Sequence, residues 1–381
     1  MSIPTSIYIH YPFCKAKCPY CDFNSHVAKV DEYDIWLQAY LKELNHFRKI
    51  SGKRKIKSIF FGGGTPSLMP SKIAESIITE IAKIYDLQKN AEITLEANPT
   101  SSEAEKFKAF NLAGINRLSI GIQSLNDTHL KFLGREHSAL EAKQTIKMAE
   151  KYFDNFSFDL IYARPKQNLK TWQQELTEAL SFNTPHLSLY QLTIEKGTKF
   201  YKEFQDKKFT LPSQEIQDDL YKATNEVCSK YGLEKYEISN YAKPGFESVH
   251  NLNYWQYGDY IGIGAGAHSR ITTNNTKHAY MTHHLPSKWL EQAKQQGHAV
   301  QSKRALSKKE MLEELLMFGL RTNQGINLNL FPKYIKQTHQ EIFGKKLEQL
   351  TDKKMLNLTN THLQSTEAGK KVLNSLLAYL I

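Results

Sequence analysis

The chain has 381 residues, of which 40% are hydrophobic and 23% charged, and 50 Lys and Arg against 39 Asp and Glu give a net charge of +11. This composition is ordinary for a soluble globular protein with a large core, and it excludes disordered, collagen-like and disulfide-stapled chains. No apolar run approaches ~20 residues, the length of a membrane-spanning helix.

The four cysteines are unevenly placed. Cys14, Cys18 and Cys21 lie close together, and Cys228 stands alone among apolar residues at helical spacing. The segment from Met1 to Phe13 has no Lys or Arg ahead of its short apolar stretch, which does not fit a secretory signal. We therefore expect a cytoplasmic protein with reduced thiols, a metal site at the clustered cysteines and a buried core residue at Cys228.

Short apolar runs alternate with longer amphipathic segments from Ser6 to Tyr231. The predicted strands are Ser6–His10, Ser58–Phe61, Ala91–Glu96, Arg117–Ile120, Ser157–Ile161 and His186–Gln191. The predicted helices are Glu32–Ile50, Ser71–Tyr85, Glu103–Ala113, Leu140–Lys151, Leu169–Ser181 and Ser213–Tyr231. Six βα units predict a parallel α/β sheet, doubly wound or barrel-like, with its chemistry at the carboxyl ends of the strands.

The pattern changes after Gly232. Tyr236–Tyr241 is expected to form a further strand, and Gly262–His268 is rich in glycine. The remaining predicted elements are the helices Ser287–Gln296, Lys308–Arg321 and Leu330–Phe343, a hairpin within Thr351–Ser365 and a last helix Glu367–Leu380. They predict a small, mostly helical, winged-helix-like domain. We divide the chain into a core barrel (1–235), a connecting segment (236–280) and a C-terminal helical domain (281–381).

Basic residues are concentrated toward the C-terminus. The segment 281–381 carries 15 basic and 8 acidic side chains, whereas the segment 1–280 carries 35 and 31. A solvated basic surface explains this bias, and a polyanionic partner such as nucleic acid is the alternative. No nucleic-acid motif accompanies the charge, so we do not expect nucleic acid as a partner.

The spacing Cys14-x-x-x-Cys18-x-x-Cys21 indicates the chemistry most directly. Three thiolates on one loop can bind three irons of a cubane cluster and leave the fourth iron open to a small molecule. Two alternatives stay open, a zinc site with His10 or His26 as fourth ligand and a set of structural thiols.

The string from Cys14 to Cys21, with Tyr20 before the last cysteine, resembles the signature of radical S-adenosylmethionine (SAM) proteins. Other strings resemble the oxygen-independent coproporphyrinogen III oxidase branch of that superfamily; they are Tyr8–Phe13, Phe61–Pro66, Ser119–Ser124 and Phe158–Tyr162. The resemblance implies a partial (β/α)6 TIM-like barrel, a 4Fe-4S cluster on the three cysteines, SAM on the open iron, and an electron donor whose electron cleaves SAM to a radical.

The same resemblance implies a set of SAM contacts. They are Tyr8, Tyr20, Gly63, Gly64, Thr65, Glu96, Gln123, Arg135 and Asp159. Glycines in this set would let the backbone approach a ligand with no Cβ in the way. One departure from the branch is Ala163-Arg164-Pro165, which replaces a glycine and an aliphatic residue and leaves the shape of that loop in doubt.

The string His250-Asn251-x-x-Tyr254-Trp255 resembles an element of the HemW heme chaperones, which are relatives of the oxidase. This resemblance implies heme contacts at His250, Tyr254 and Trp255, and delivery of heme to an unidentified acceptor protein. An imidazole can ligate heme iron, although the same residues could form a packed polar corner.

Two absences separate the chaperone from the oxidase. The oxidase branch carries a further cysteine shortly past the triad, where this chain has Phe23. It also carries an N-terminal extension, whereas only the short segment from Met1 to Phe13 precedes Cys14 here. We therefore expect a heme chaperone that lacks coproporphyrinogen III dehydrogenase activity. The alternatives are the oxidase itself and a radical SAM nucleic-acid modifier, for which no second cluster motif is present.

Overall fold

The computed structural model describes residues 3–28 and 32–381. Its first strands are β1 (Pro4–Tyr11), β2 (Phe13–Cys14), β3 (His26–Val27), β4 (Lys55–Gly63), β5 (Asp86–Ala97), β6 (Arg117–Gln123), β7 (Asn155–Tyr162) and β8 (His186–Gln191). The accompanying helices are α1 (Tyr33–Ser51), α2 (Ser71–Ile84), α3 (Ser101–Ala104), α4 (Phe107–Leu112), α5 (Asp127–Phe132), α6 (Ala139–Tyr152), α7 (Leu169–Leu180), α8 (Lys199–Gln205) and α9 (Gln214–Lys230), with a 3-10 turn at Pro66–Leu68. All six predicted strands are present.

The strands β1, β4, β5, β6, β7 and β8 pair in this order, and every pairing is parallel. Parallel strands joined by helices need cover on both faces, and residues such as Ile59 and Leu95 are fully buried in them. Phe47 of α1 and Ile77 of α2 pack in the same apolar core. This arrangement confirms the predicted α/β fold.

The predicted helix Glu103–Ala113 is wrong in its continuity, because it is divided into α3 and α4. Glu103 is buried, accepts a hydrogen bond from the Asn98 N–H at 3.0 Å, and is also bonded to the Ser67 hydroxyl. These bonds hold the first turn against the loop after β5, while Phe107 and Phe110 direct α4 into the core.

The next elements are β9 (Glu234–Lys235), β10 (Asn240–Ala242), α10 (Val249–Trp255), β11 (Asp259–Ile263), β12 (His268–Thr273), β13 (Thr276–Thr282), α11 (Pro286–Gln296) and β14 (Val300–Ala305). The predicted strand Tyr236–Tyr241 is wrong over most of its length. Only β10 pairs there, antiparallel to β8, since the Glu237 carboxylate accepts hydrogen bonds from Ser239 and Asn240 and holds a turn before it.

The glycine-rich run contains a strand that the sequence analysis missed. β11 pairs parallel to β1 on the side opposite β4, and β12, β13 and β14 extend this edge in antiparallel order. A Cβ on Gly262 would lie 2.1 Å from the His268 carbonyl oxygen, and one on Gly264 would lie 2.4 Å from that of His10. The glycines therefore permit close contact between backbones.

The C-terminal elements are α12 (Lys308–Gly319), β15 (Ile326–Asn327), a π-helical turn (Phe331–Ile335), α13 (His339–Phe343), α14 (Lys345–Asp352), β16 (Leu356–Leu358), β17 (His362–Ser365), α15 (Glu367–Lys371) and α16 (Leu373–Leu380). They enclose a second apolar core around Leu316 and Phe331. The strand order β15-β17-β16 contains the predicted hairpin and confirms the winged-helix-like unit. The helices predicted at 330–343 and 367–380 are each interrupted.

The main sheet continues through β14, beyond residue 280, and the division of the chain at 235 and 280 stays a prediction. Within the described part of the chain, no helix is both long enough and apolar enough to cross a bilayer.

Candidate functional site

The three clustered cysteines lie on a loop that leaves the carboxyl end of β1. The short strands β2 and β3 pair with each other at the two ends of this loop, and the Cys21 N–H donates to the Cys18 carbonyl at 3.1 Å. Cys14, Cys18 and Cys21 are partly exposed and line one cavity of about 150 Å³, the cluster cavity. The loop thus presents three thiols to one space.

Each of the three sulfurs has a polar neighbour. The Thr65 hydroxyl donates to Cys14 Sγ at 3.4 Å, and an Arg135 terminal nitrogen donates to Cys18 Sγ at 3.4 Å. The Ser25 hydroxyl lies 3.7 Å from Cys21 Sγ. Hydrogen bonds to thiolate sulfur tune iron–sulfur clusters, so this set of donors and thiols fits such a cluster.

The histidines considered as zinc ligands have other partners. His10 is hydrogen-bonded to the Tyr8 hydroxyl at 3.0 Å and the Asn24 carbonyl at 2.9 Å, and His26 to the Asn24 side chain at 2.9 Å. Among residues 3–28 and 32–381, no three His, Cys, Asp or Glu side chains are grouped around one metal-ion position. A cubane cluster does not require such a group, because each cysteine binds a different iron.

All but one of the predicted SAM contacts line the cluster cavity. They are Tyr20, Gly63, Gly64, Thr65, Glu96, Gln123, Arg135 and Asp159. Most lie at or near the carboxyl ends of β4 to β7, where a parallel sheet collects its chemistry. Tyr8 instead lines a second, adjoining cavity.

The glycine loop after β4 is shaped by its neighbours. Gly63 has φ 112°, and its N–H donates to Glu96 Oε2 at 3.0 Å. At Gly64, an added Cβ would lie 2.6 Å from the Phe13 carbonyl oxygen. The expectation that Gly64 leaves space for a ligand is therefore corrected: its missing side chain makes room for the backbone just before Cys14.

Two carboxyl groups in the cluster cavity have unusual titration. Burial raises the pKa of Glu96 to about 7 and that of Asp159 to about 6. Asp159 Oδ1 is buried and has no hydrogen-bond partner among the described residues. An unfilled buried acceptor beside a second carboxyl group fits the hydroxyl and ammonium donors of SAM.

Arg135 follows α5, well beyond β6 in sequence, yet it reaches the cysteine loop. Besides Cys18, its guanidinium donates to Asn98 Oδ1 at 2.6 Å and to the Gly121 carbonyl at 2.8 Å. Gln123 ends β6 with φ 68°, a backbone conformation that residues other than glycine rarely adopt. It lies at a break in the pairing of β6 with β7. Such strained turns are concentrated at functional sites.

The second cavity has a volume of about 600 Å³ and shares Gly63, Glu96 and Asp159 with the cluster cavity. The predicted heme contacts His250, Tyr254 and Trp255 all line it. They lie on α10, whose first N–H groups are capped by Ser248 and by the buried Glu92 carboxylate. The motif is therefore fixed against β5 through Glu92 and against β4 through Ser58.

His250 is 1% exposed, and both of its ring nitrogens have partners. Nδ1 is 3.0 Å from the Ser58 hydroxyl, and Nε2 is 2.9 Å from the Tyr254 hydroxyl. Burial lowers the pKa of His250 to about 3, so the ring is neutral. In this structure His250 is a packed polar residue of the cavity wall, and its role as an iron ligand stays a prediction.

Two other residues of the second cavity were missed by the sequence analysis. His268 is exposed, and its ring has no hydrogen-bond partner among the described residues. Arg117, at the start of β6, is buried and lines the cavity. The glycines before His268 and the strand position of Arg117 gave no functional signal.

The loop after β7 that departs from the oxidase branch keeps a tight turn. Ala163 has φ 56°, the left-handed conformation that glycine adopts easily. Arg164 is buried and donates to Ser124 and Glu175. This ion pair holds the turn in place of the missing glycine.

Comparison with known proteins gives a consistent assignment. The sequence profile of the Radical SAM superfamily matches residues 8–179, and that of the HemN C-terminal domain matches residues 306–372. Heme chaperone HemW of Escherichia coli (strain K12) is 36% identical over 98% of this chain and 97% of its own length. Radical S-adenosyl methionine domain-containing protein 1, mitochondrial, of Danio rerio is 36% identical over 100% and 87%. The structure of coproporphyrinogen III oxidase (HemN) from Escherichia coli has the same fold, with a TM-score of 0.82 and 22% identity over 100% of this chain and 90% of that chain.

Proposed function

This chain belongs to the HemW family of radical SAM proteins, and from that membership we propose that it is a heme chaperone, which binds heme and delivers it to an acceptor protein. One structural observation carries the proposal, namely the second cavity beside the cluster cavity, which we call the porphyrin cavity. Its volume of about 600 Å³ lies within the range of ligand-binding cavities. Its walls combine aromatic rings with a few polar groups, as a site for a flat amphipathic ligand requires.

The cofactors of the family are a 4Fe-4S cluster and SAM, and we assign the cluster to Cys14, Cys18 and Cys21. When bound, the cluster and SAM supply one-electron chemistry, which requires an electron donor. The chain's own residues position this pair: Arg135 and Thr65 donate to the cysteine sulfurs, and Asp159 offers its unfilled oxygen to a SAM donor.

Heme would lie in the porphyrin cavity against Tyr254 and Trp255, whose rings bury apolar porphyrin surface. His250 anchors this wall through its bonds to Ser58 and Tyr254. The His268 ring has no hydrogen-bond partner among the described residues, so it is the histidine better prepared to ligate iron.

Hemin titration of the cluster-reconstituted protein should give a saturable Soret band near one equivalent. With reductant, SAM and coproporphyrinogen III, chromatography should show no multiple turnover to protoporphyrinogen. Multiple turnovers per protein would favour the oxidase instead. Phe23 supports the chaperone, because a phenyl ring replaces the thiol of the oxidase branch and lies on the wall of both cavities.

Two histidine variants distinguish a residue of the cavity wall from a ligand of the heme iron. We expect His268→Ala to change the position of the Soret band, because a ligand to iron is lost. We expect His250→Ala to weaken hemin binding with the band position kept, since it loosens Tyr254. Resonance Raman spectra of the two hemin complexes provide the check, and a changed ligand state in His250→Ala alone would assign the iron to His250.

A further inference from the structure

Arg117 is a buried guanidinium with donors left unfilled. The residue is 2% exposed and lines the porphyrin cavity from the start of β6. Within residues 3–28 and 32–381, its Nε has no hydrogen-bond partner, and its one ion-pair contact is with Glu92 Oε2, 3.8 Å away. Among the described residues, the side chain thus has one long ion pair and no hydrogen bond.

Glu92 is already committed to another role. Its two oxygens accept hydrogen bonds from the N–H groups of Val249 and His250, both at 3.0 Å, and from the Ser248 hydroxyl at 3.4 Å. It thereby caps the amino end of α10. A guanidinium has five N–H donors, so this shared carboxylate leaves most of them available.

The other polar groups around Arg117 do not use these donors. His186 is bonded to the hydroxyls of Ser157 and Tyr236, both at 2.7 Å, and His250 to those of Ser58 and Tyr254. Of the described residues that line the porphyrin cavity, Arg117 is the one lysine or arginine. A buried charge without hydrogen bonds is unfavourable, which points to an anionic ligand that supplies the acceptors.

We propose that Arg117 binds a propionate carboxylate of heme at the base of the porphyrin cavity. A planar guanidinium pairs with a carboxylate through two parallel hydrogen bonds, which fix orientation as well as position. Heme combines an apolar ring for the aromatic wall with carboxylates for this one cation. The inference rests on the proposed function and adds the polar end of the ligand to it.

The test compares hemin with hemin dimethyl ester, whose propionates cannot form the ion pair. Wild-type protein, with its cluster reconstituted, should bind the ester at least ~10-fold more weakly, the expected cost of losing a charge-assisted pair. Arg117→Gln should bind both compounds with about equal affinity. Lys57→Gln is a matched control, because it removes a half-buried charge near Glu92 that does not line the cavity; its preference for hemin should equal that of the wild type.

The outcomes separate the two proposals. If the wild type shows no saturable hemin binding, the proposed function is overturned, and the binding of a propionate by Arg117 with it. If the wild type binds hemin and Arg117→Gln still prefers hemin over the ester, the binding of a propionate by Arg117 is overturned and the proposed function is not. If circular dichroism shows that Arg117→Gln loses its fold, Arg117→Lys decides instead, because it keeps the charge but not the planar guanidinium. Its preference for hemin over the ester should be smaller than that of the wild type. An unchanged preference contradicts the binding of a propionate by Arg117.

Discussion

Thr65 links the glycine loop to the cysteine loop, because its hydroxyl donates to Cys14 Sγ and accepts from the Asn98 amide at 3.0 Å. Hydrogen bonds to thiolate stabilise the more negative, reduced cluster. We expect Thr65→Val to lower the cluster's reduction potential by on the order of 40 mV, equivalent to a hydrogen bond of about 1 kcal/mol. Potentiometric titration followed by EPR measures this shift, and Thr65→Ser, which keeps the hydroxyl, should stay near the wild type.

We expect Glu96 and Asp159 to make SAM binding dependent on pH. Their pKa values are raised by burial to about 7 and about 6, so both lose protons between pH 5.5 and 8. SAM is cationic at its sulfonium, so its affinity should rise several-fold across this range as the two groups ionise. Equilibrium dialysis with labelled SAM at pH 5.5 and 8 measures the change. Asp159→Asn should flatten the profile, and a flat wild-type profile would exclude these carboxyl groups as contacts.

At the residue scale, the three cysteines and all the predicted SAM contacts except Tyr8 line one cavity, and their roles as ligands stay predictions. The sequence did not reveal that both nitrogens of His250 are occupied, because Ser58 is 192 positions away in the chain. Arg117 was missed for a related reason: the sequence does not show that its Nε lacks a hydrogen-bond partner among the described residues.

At the scale of elements, Glu43 joins three parts of the chain. This buried residue of α1 accepts hydrogen bonds from the N–H groups of Gly264 and Ala299 and from the Trp289 indole, at 2.8 to 2.9 Å. Glu43→Ala would leave three buried donors unfilled, so we expect a loss of about 3 kcal/mol or more in the free energy of unfolding. Urea unfolding followed by tryptophan fluorescence measures the loss. Glu75→Ala, at an exposed position on α2, should change it by less than ~0.5 kcal/mol.

Element prediction succeeded where apolar residues are continuous and failed where local composition conceals the pairing. The six parallel strands are rich in Ile, Leu and Phe, and all were found. β11 was missed because Gly262 within it and Gly264 just after it lower strand propensity, although the close approach of their backbones to His268 and His10 requires them. The divided helices were predicted as continuous because side-chain bonds such as those of Glu103 are tertiary.

Stability of the whole molecule should decline in mild acid. Burial lowers the pKa of nine histidines. In the five most affected, the pKa falls to about 4 for His10, His46 and His137, to about 3 for His250, and well below the usual value for His186. Unfolded histidines titrate near 6.5, so below that pH the unfolded chain binds more protons and stability is lost as the pH falls toward 4. Above pH ~6.5 this contribution is fully present.

Three buried carboxyl groups act in the opposite direction. Glu43, Glu96 and Asp159 have raised pKa values, so their contribution is largest at low pH and is lost as the pH rises through about 6 to 7. The histidines with lowered pKa values are more numerous than these carboxyl groups. We therefore expect the free energy of unfolding to fall by about a few kcal/mol from pH 7 to pH 5. Urea midpoints at the two pH values test this, and equal midpoints would contradict it. High salt should preserve the difference, since it screens surface charges and not buried ones.

The long-range hydrogen bond of Asn24 has a consequence for the synthesis of the protein on the ribosome. Its amide, shortly after Cys21, donates to the Ala265 carbonyl at 2.9 Å, and these partners are 241 residues apart in the chain. The edge of β1 opposite β4 likewise stays unpaired until β11 has been synthesised. At a synthesis rate of ~5–20 residues per second, the three thiols emerge on the order of 10–50 s before the segment that secures their loop. Iron and sulfide are therefore best delivered after translation, to a finished chain.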